Sequence, residues 1–271
     1  MGTVLFLGVA LVAGICVGVL SGLLGIGGGV IMVPLFHLAF GFEAVVATAT
    51  SLFCIFPTAL SGAVAHVRDH TCIPAYGVVM GIGGALASPV GVWCAAQSPD
   101  IAIMAVTAVI MTYSATTMIR RALALKPADA SGRDTSEGDA EERARLSRRH
   151  ILISLAVGAL AGFCSGYVGV GGGFIMVPLM IALLELPMSK ASGTSLIAIA
   201  ILAIPGIAEQ LFLGNVEVLF AIAVVCGSIP GAVWGARLVK RVPERTLRFL
   251  FAGLLVVGAI VLLGNEIAAL M

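Results

Sequence analysis

One motif occurs twice in this chain, 144 residues apart, in places where an uninterrupted helix would be expected. Residues 21–35 read SGLLGIGGGVIMVPL and residues 165–179 read SGYVGVGGGFIMVPL, identical at eleven of fifteen positions. Both copies lie in long apolar stretches, so a glycine-rich break and a proline have been set twice at membrane depth. Irregular backbone is tolerated there only where it is buried in protein or lines a water-filled cavity. Corresponding interruptions in two halves of a membrane protein point to a shared binding site.

The composition supports the membrane setting. Of 271 residues, 60% are hydrophobic and 11% charged, with a mean hydropathy of +1.13. Soluble domains carry about 25% charged residues. A net charge of +1 gives no basic surface for nucleic acid. The six cysteines show no CxxC or CxxH spacing, and no His/Cys/Asp/Glu cluster has metal-ligand spacing, so neither metal nor cofactor is expected. No convergent nucleophile and base stand out, which argues against an enzyme. The N-terminal stretch MGTVLFLGVALVAGICVGVL lacks a basic n-region and runs straight into the first motif, so it reads as a retained helix.

The repeat extends beyond the glycines. ATATSL at 47–52 answers ASGTSL at 191–196, and Pro89 and Trp93 match Pro230 and Trp234 if three residues of slippage are allowed. The sequence therefore divides into a first transmembrane repeat (1–119), a linker (120–149) and a second repeat (150–271). The linker carries eight basic and six acidic residues, with a possible short helix over DAEERARLSRR.

Each half offers five apolar segments, at 3–24, 28–41, 44–66, 72–96 and 100–119, then at 150–169, 172–185, 190–213, 216–236 and 244–264. Five crossings per half would invert the second half relative to the first. Under that arrangement Arg68, the linker, Lys190 and the 237–248 loop share one side and hold every Lys and Arg. The other side receives Glu43, Asp100, Glu217 and Glu266. The positive-inside rule then makes the linker cytoplasmic and puts both termini outside. The expected fold is an all-α polytopic membrane protein of two inverted repeats with broken glycine-rich hairpins. Pro34 and Pro178 should interrupt the short second segments and free backbone carbonyls.

Glycines without side chains can aim several backbone N–H groups at one point, and a helix starting after them adds its positive dipole end. Gly25, Gly27, Gly28 and Gly29, with Gly169, Gly171, Gly172 and Gly173, could thus hold a small oxyanion without a buried cation. Close helix packing is the other use of such residues. Hydroxyls come from Thr48, Thr50 and Ser51, answered by Ser192, Thr194 and Ser195, with Ser21 and Ser165 beside the loops. They can donate to an anion or bond their own helix's preceding turn. Glu209 is the one carboxylate well inside an apolar stretch and a candidate for proton coupling. His37 and His66 have apolar neighbours and read as structural.

The doubled GxGGGxxxxPxL pattern, Gly25 to Leu35 and Gly169 to Leu179, resembles the TauE/SafE family of sulfite and organosulfonate exporters. The resemblance covers both halves and leaves out only the linker. It implies an inner-membrane carrier that moves small sulfur-containing anions such as sulfite, sulfoacetate or thiosulfate outward. It also makes the glycine loops, their Pro34 and Pro178, and the Thr/Ser segments the substrate contacts. The residues alone point only to a small anion and alternating access, and leave open an anion channel or a carrier of another solute such as a carboxylate.

Overall fold

A computed structural model of the protein describes residues 2–124, 148–168 and 171–270. These residues form ten α-helices and no strand, so the protein is an all-α polytopic membrane protein. In chain order the helices are α1 (Gly2–Leu24), α2 (Gly29–Pro34, running on as a π turn over Leu35–Ala39), α3 (Ala44–Arg68), α4 (Pro74–Ala96), α5 (Asp100–Ala124), α6 (Arg148–Val168), α7 (Gly173–Leu183), α8 (Met188–Phe212), α9 (Val218–Leu238, then a 3-10 turn over Val239–Arg241) and α10 (Glu244–Leu270). The short helix expected in the linker falls largely outside the described residues.

Among the described residues, six helices are long and apolar enough to cross a bilayer: α1, α3, α4, α6, α8 and α9. Two further helices, α5 and α10, have 25 and 27 residues. The second helix of each half is short. α7 has 11 residues, about 16 Å at 1.5 Å per residue, roughly half the hydrocarbon core. The prolines act unequally. At Pro34 the helix passes into the π turn, whereas Pro178 lies inside a continuous α7, so the expected interruption occurs in the first copy only.

The two halves begin their helices at matching residues. Gly29 and Gly173, Ala44 and Met188, Pro74 and Val218, and Asp100 and Glu244 each begin a helix 144 residues apart. α3 and α8 also end alike. The Thr71 and His70 N–H groups donate to the carbonyls of His66 (2.9 Å) and Val67 (3.2 Å), while those of Asn215 and Gly214 donate to Gln210 (3.2 Å) and Leu211 (3.2 Å). The residue after each helix takes the left-handed conformation that such a cap requires: His70 at φ 57° and Gly214 at φ 72°.

Packing interlocks the halves. α1 lies along α9 and α6 along α4, α3 packs on α9 as α8 packs on α4, and α3 and α8 meet at the centre. Lipid tails are as apolar as leucine, so packing rather than water exclusion must join such helices, and close approach needs small residues. Gly14, Gly18 and Gly22 of α1 lie against the carbonyl oxygens of Val224, Ser228 and Ala232 on α9. Gly158, Gly162 and Gly166 of α6 lie in the same way against Met80, Gly84 and Ser88 on α4. The partners are again 144 residues apart, so α4 and α9 are equivalent without slippage. Pro89 and Trp93 therefore sit three residues further along than Pro230 and Trp234, not at matching places.

The charged ends gather at one pole. Lys240 Nζ lies 3.5 Å from Asp69 Oδ1, Arg121 Nη1 donates to the Ile181 carbonyl (3.1 Å), and Arg248 Nη1 donates to the Arg121 carbonyl (3.2 Å). Arg248 also pairs with Glu244, whose carboxylate accepts the Met188 N–H at the start of α8 (3.3 Å).

A side chain added to the α6–α4 seam has nowhere to go, because even a Cβ at Gly162 would overlap the Gly84 backbone. Gly162→Val should destabilise the protein by about 1–3 kcal/mol or more through overpacking. Gly253 has open space around it, so Gly253→Val should stay within about 0.5 kcal/mol, as surface changes do. Thermal unfolding of the two detergent-solubilised variants checks both.

Candidate functional site

The first glycine loop begins where α1 is capped, with the Gly25 N–H donating to the Ser21 carbonyl (2.8 Å). Gly25, Gly27 and Gly28 all have positive φ, at 73°, 79° and 88°. A left-handed residue lets the chain reverse from α1 into α2 at once, and glycine does this without a Cβ penalty. The Gly28 carbonyl then accepts the N–H groups of Ile31 (3.0 Å) and Met32 (2.9 Å). In the second loop Gly171 is left-handed at φ 86°, and the Gly172 carbonyl accepts from Ile175 (3.2 Å) and Met176 (3.0 Å). Gly172 itself has φ −77°. Gly169 lies outside the described residues.

The two loops meet. A Cβ on Gly173 would lie 2.8 Å from the carbonyl oxygens of both Gly25 and Ile26. Between the loops sit Ile55 of α3 and Ile199 of α8, another pair 144 residues apart. A Cβ on Gly27 would reach Ile199 Cγ2 at 3.0 Å and Ile55 Cγ2 at 3.4 Å, and one on Gly171 would lie 3.7 Å from Ile55 Cδ1. Residues 21–30 and 171–178, Gly29 and Pro178 among them, are all buried, and Pro34 is half-buried. The loops therefore lie in the interior, among neutral residues.

The hydroxyls divide by role. Ser195 Oγ donates to the Gly25 carbonyl (2.7 Å) and to that of Ser192 (2.8 Å), so α8 clamps the first loop. A Cβ on Gly25 would come within 2.5 Å of Ser192 Cα, which fixes how close that clamp is. Ser192 Oγ donates to the Met188 carbonyl (2.8 Å) and Thr194 Oγ1 to that of Lys190 (2.7 Å), each in its own helix's preceding turn. Thr194 also accepts the Ile73 N–H (2.9 Å) that caps α4, and Thr50 accepts the Glu217 N–H (3.1 Å) that caps α9. These two threonines join opposite halves.

Ser21 and Ser51 differ. Both are buried, and neither hydroxyl has a hydrogen-bond partner. Ser21 Cβ lies 3.7 Å from where a Cβ on Gly28 would stand, so this hydroxyl belongs to the first loop. Ser165 is buried and Thr48 half-buried. Glu209 is exposed in the last turn of α8, where its carbonyl accepts the Leu213 N–H (3.0 Å). His37 Nδ1 donates to the Phe42 carbonyl (2.7 Å) and closes the return from the π turn.

Ile55, Ile199 and His66 were not singled out from sequence as parts of the site. His66 is fully buried, with Nδ1 2.7 Å from Thr71 Oγ1 and Nε2 2.9 Å from the Gly22 carbonyl. Its counterpart Gln210 accepts from Asn215 Nδ2 (2.9 Å) at the equivalent turn. Aligning the two halves residue by residue would have exposed this pair. Among the described residues no group of His, Cys, Asp and Glu could hold a metal ion.

The profile of the family described as Sulfite exporter TauE/SafE matches residues 10–262. The chain belongs to this family. It is 27% identical over 249 residues to the probable membrane transporter protein YunE of Bacillus subtilis, covering 88% of this chain and 90% of that protein. YdhB of the same organism, also described as a probable membrane transporter protein, is 27% identical over 235 residues, 85% of this chain and 89% of that protein. The similarly described MJ0441 of Methanocaldococcus jannaschii is 23% identical over 274 residues, 96% of each. No solved structure matches the chain.

The paired caps give an energetic test. Thr194→Val leaves the Ile73 N–H without its acceptor, and Thr50→Val does the same to Glu217. Each should cost about 1 kcal/mol, the loss of a part-buried hydrogen bond whose donor water can still reach. Urea or thermal unfolding in detergent should return similar losses for both, and a smaller one for Thr48→Val.

Proposed function

We propose that this membrane transporter is a secondary carrier of small anions, sulfite or a related sulfur-containing anion such as sulfoacetate or thiosulfate, working by alternating access. The observation that carries the reading is the meeting of two glycine loops in the buried centre, with the unpaired hydroxyl of Ser21 beside the first and a second unpaired hydroxyl, Ser51, one turn before Ile55 on α3. Backbone N–H groups and neutral hydroxyls stabilise an oxyanion without a fixed counter-ion, so the anion can also leave. Family membership supplies the sulfur, which the geometry alone would not. The Gly25–Gly29 and Gly169–Gly173 loops, with Pro34 and Pro178 setting the helices behind them, form the site, and Ser21, Ser51 and Ser165 are its donors. Thr48, Thr50, Ser192, Thr194 and Ser195 shape it from α3 and α8.

The matched helix starts, matched caps and exchanged packing support two inverted repeats. Ile55 and Ile199 then form the barrier that must open to one side at a time. The basic pole fits the cytoplasmic face of a bacterial inner membrane, with the linker on the same side. An inside-negative potential drives an anion outward by about 2.3 kcal/mol per charge per 100 mV, which makes export the favoured direction.

Uptake of labelled sulfite, thiosulfate, sulfoacetate and a plain carboxylate into proteoliposomes tests the substrate. Saturable uptake of the sulfur anions with counter-exchange is expected. Preference for the carboxylate would overturn the sulfur reading, and conduction without counter-exchange would make the protein a channel. Gly28→Val should abolish uptake with protein still in the membrane, since Gly28 is left-handed and its Cβ would press to 3.0 Å from Val17 Cγ1.

Topology has its own test. A cysteine at Ser136 should react with an impermeant thiol reagent from the cytoplasmic side and one at Asn215 from the opposite side. Reaction of both from one face would refute the inverted arrangement.

A further inference from the structure

Transport by this site would be sensitive to any group that can change charge beside it. We propose that His66 is the proton-binding residue of the carrier, and that the affinity of the glycine-loop site for its anion is linked to protonation of this imidazole. The inference rests on the anion-carrier reading and extends it.

Position comes first. His66 bonds the Gly22 carbonyl, three residues before Gly25. On its other side it meets Gly193, where a Cβ would stand 2.7 Å from His66 Cγ. Gly193 lies between Ser192 and Ser195, the segment that clamps the Gly25 carbonyl. One imidazole thus touches both pieces of chain that hold the first loop.

The hydrogen bonding accommodates both protonation states without moving heavy atoms. The Gly22 carbonyl can only accept, so Nε2 carries a hydrogen in either state. In the neutral ring the Thr71 hydroxyl donates to Nδ1. In the charged ring Nδ1–H donates to Thr71 Oγ1, and the Thr71 hydroxyl turns to the His66 carbonyl at 3.3 Å. The positive ring strengthens its bond to Gly22, because hydrogen bonds to ionised groups are the stronger ones. It also adds one positive charge next to a site that is otherwise neutral.

Of the two histidines near this turn, His66 is the one that bonds the Gly22 carbonyl, while His70 is exposed. Asp69 in the following turn acts on it electrostatically and is paired with Lys240. Cys72 lies in the same turn, where burial pushes its thiol up to about 11, so it stays neutral. Arg68 follows on its own helix, Lys190 lies one turn from Gly193 on α8, and α1 brings no charged residue. The second half closes the equivalent turn with Gln210 and Asn215, which cannot titrate. The repeat therefore shows an amide pair closing the equivalent turn.

The test uses the full chain and thiosulfate, which keeps one charge state across the range, unlike sulfite. In proteoliposomes the KM for thiosulfate exchange should rise by up to about tenfold per pH unit above the midpoint of His66, with kcat changing much less. The KM of His66→Gln should be flat between about pH 5 and 8, the range in which histidine changes charge. In parallel, the imidazole NMR signal of His66, assigned by replacing the other three histidines in turn, should titrate, and its midpoint should move upward when thiosulfate is added.

A wild-type pH profile in His66→Gln, or a profile flattened by Glu209→Gln instead, overturns the proposal. So does a His66 signal that fails to titrate or ignores thiosulfate. If His66→Gln is inactive, the NMR titration of the unaltered His66 decides. If no sulfur anion is transported, the substrate reading falls by itself, and titration of His66 alone determines whether the proton site stands.

Discussion

The backbone contact between α1 and α9, repeated between α6 and α4, is the constraint on which the rest of the molecule depends. In each of these two seams a helix of one half is pressed to a helix of the other along a line of glycines, close enough that carbonyl oxygens occupy the space a Cβ would need. In a bilayer no water is released by such packing, so dispersion and Cα–H···O contacts must hold it. Those terms fall off steeply with distance and reward only close approach. Once α1 and α6 are fixed in this way, both glycine loops at their ends are delivered to the same interior point. The central pair, α3 and α8, fills the space between them.

At that point the residues act in layers. The left-handed glycines turn the chain, Ile55 and Ile199 pack against both loops, and Ser195 holds the Gly25 carbonyl. Thr50 and Thr194 were drawn by sequence into the same group of hydroxyls, and both cap helices of the opposite half. Their oxygens are already engaged and contribute rigidity. Ser21 and Ser51 retain bonding capacity in a buried setting, which is costly unless something else is served by it. A free hydroxyl beside a positive-φ glycine, as Ser21 stands beside Gly28, is what a neutral anion site would contain.

Much of this was legible in the sequence because membrane helices leave strong marks. The ten segments, the short second helix of each half and the basic pole follow from hydropathy, glycine and charge. What was not legible depended on faces rather than spans. Matching Pro89 and Trp93 to Pro230 and Trp234 suggested a slip, yet the glycine seam keeps the 144-residue register through α4 and α9. Identical letters were outweighed there by the spacing of small residues, which the packing requires. Pro34 and Pro178 look equivalent, but only Pro34 is followed by a π turn, and the turn is closed by a bond from His37 to Phe42 that the second copy has no histidine to make. His66 looked like a lone core histidine, and only the fold brings Gly22 and Gly193 to its two sides.

The differences between the halves carry as much meaning as the likeness. In a carrier of inverted repeats, exchanging the conformations of the halves exchanges the open sides, so identical halves would give two states of equal energy. Here the pole around the α2–α3 turn is closed by an aromatic cluster. Phe220 of α9 packs edge-on against Phe36, Phe40 and Phe42 with ring centroids 5.2, 4.6 and 5.0 Å away. Contacts of this kind add about 0.5–1.5 kcal/mol each beyond area burial. The opposite pole is tied by Lys240 and Asp69, 50% and 32% exposed, a class of pair that contributes about 0–1 kcal/mol. The same pole also carries the bonds of Arg121 and Arg248 to the Ile181 and Arg121 carbonyls and of Glu244 to the Met188 N–H, so the two ends are closed by different chemistry. On the alternating-access reading, the two ends therefore open against unlike contacts, and at the charged pole an anion meets basic residues before it meets the glycine loops.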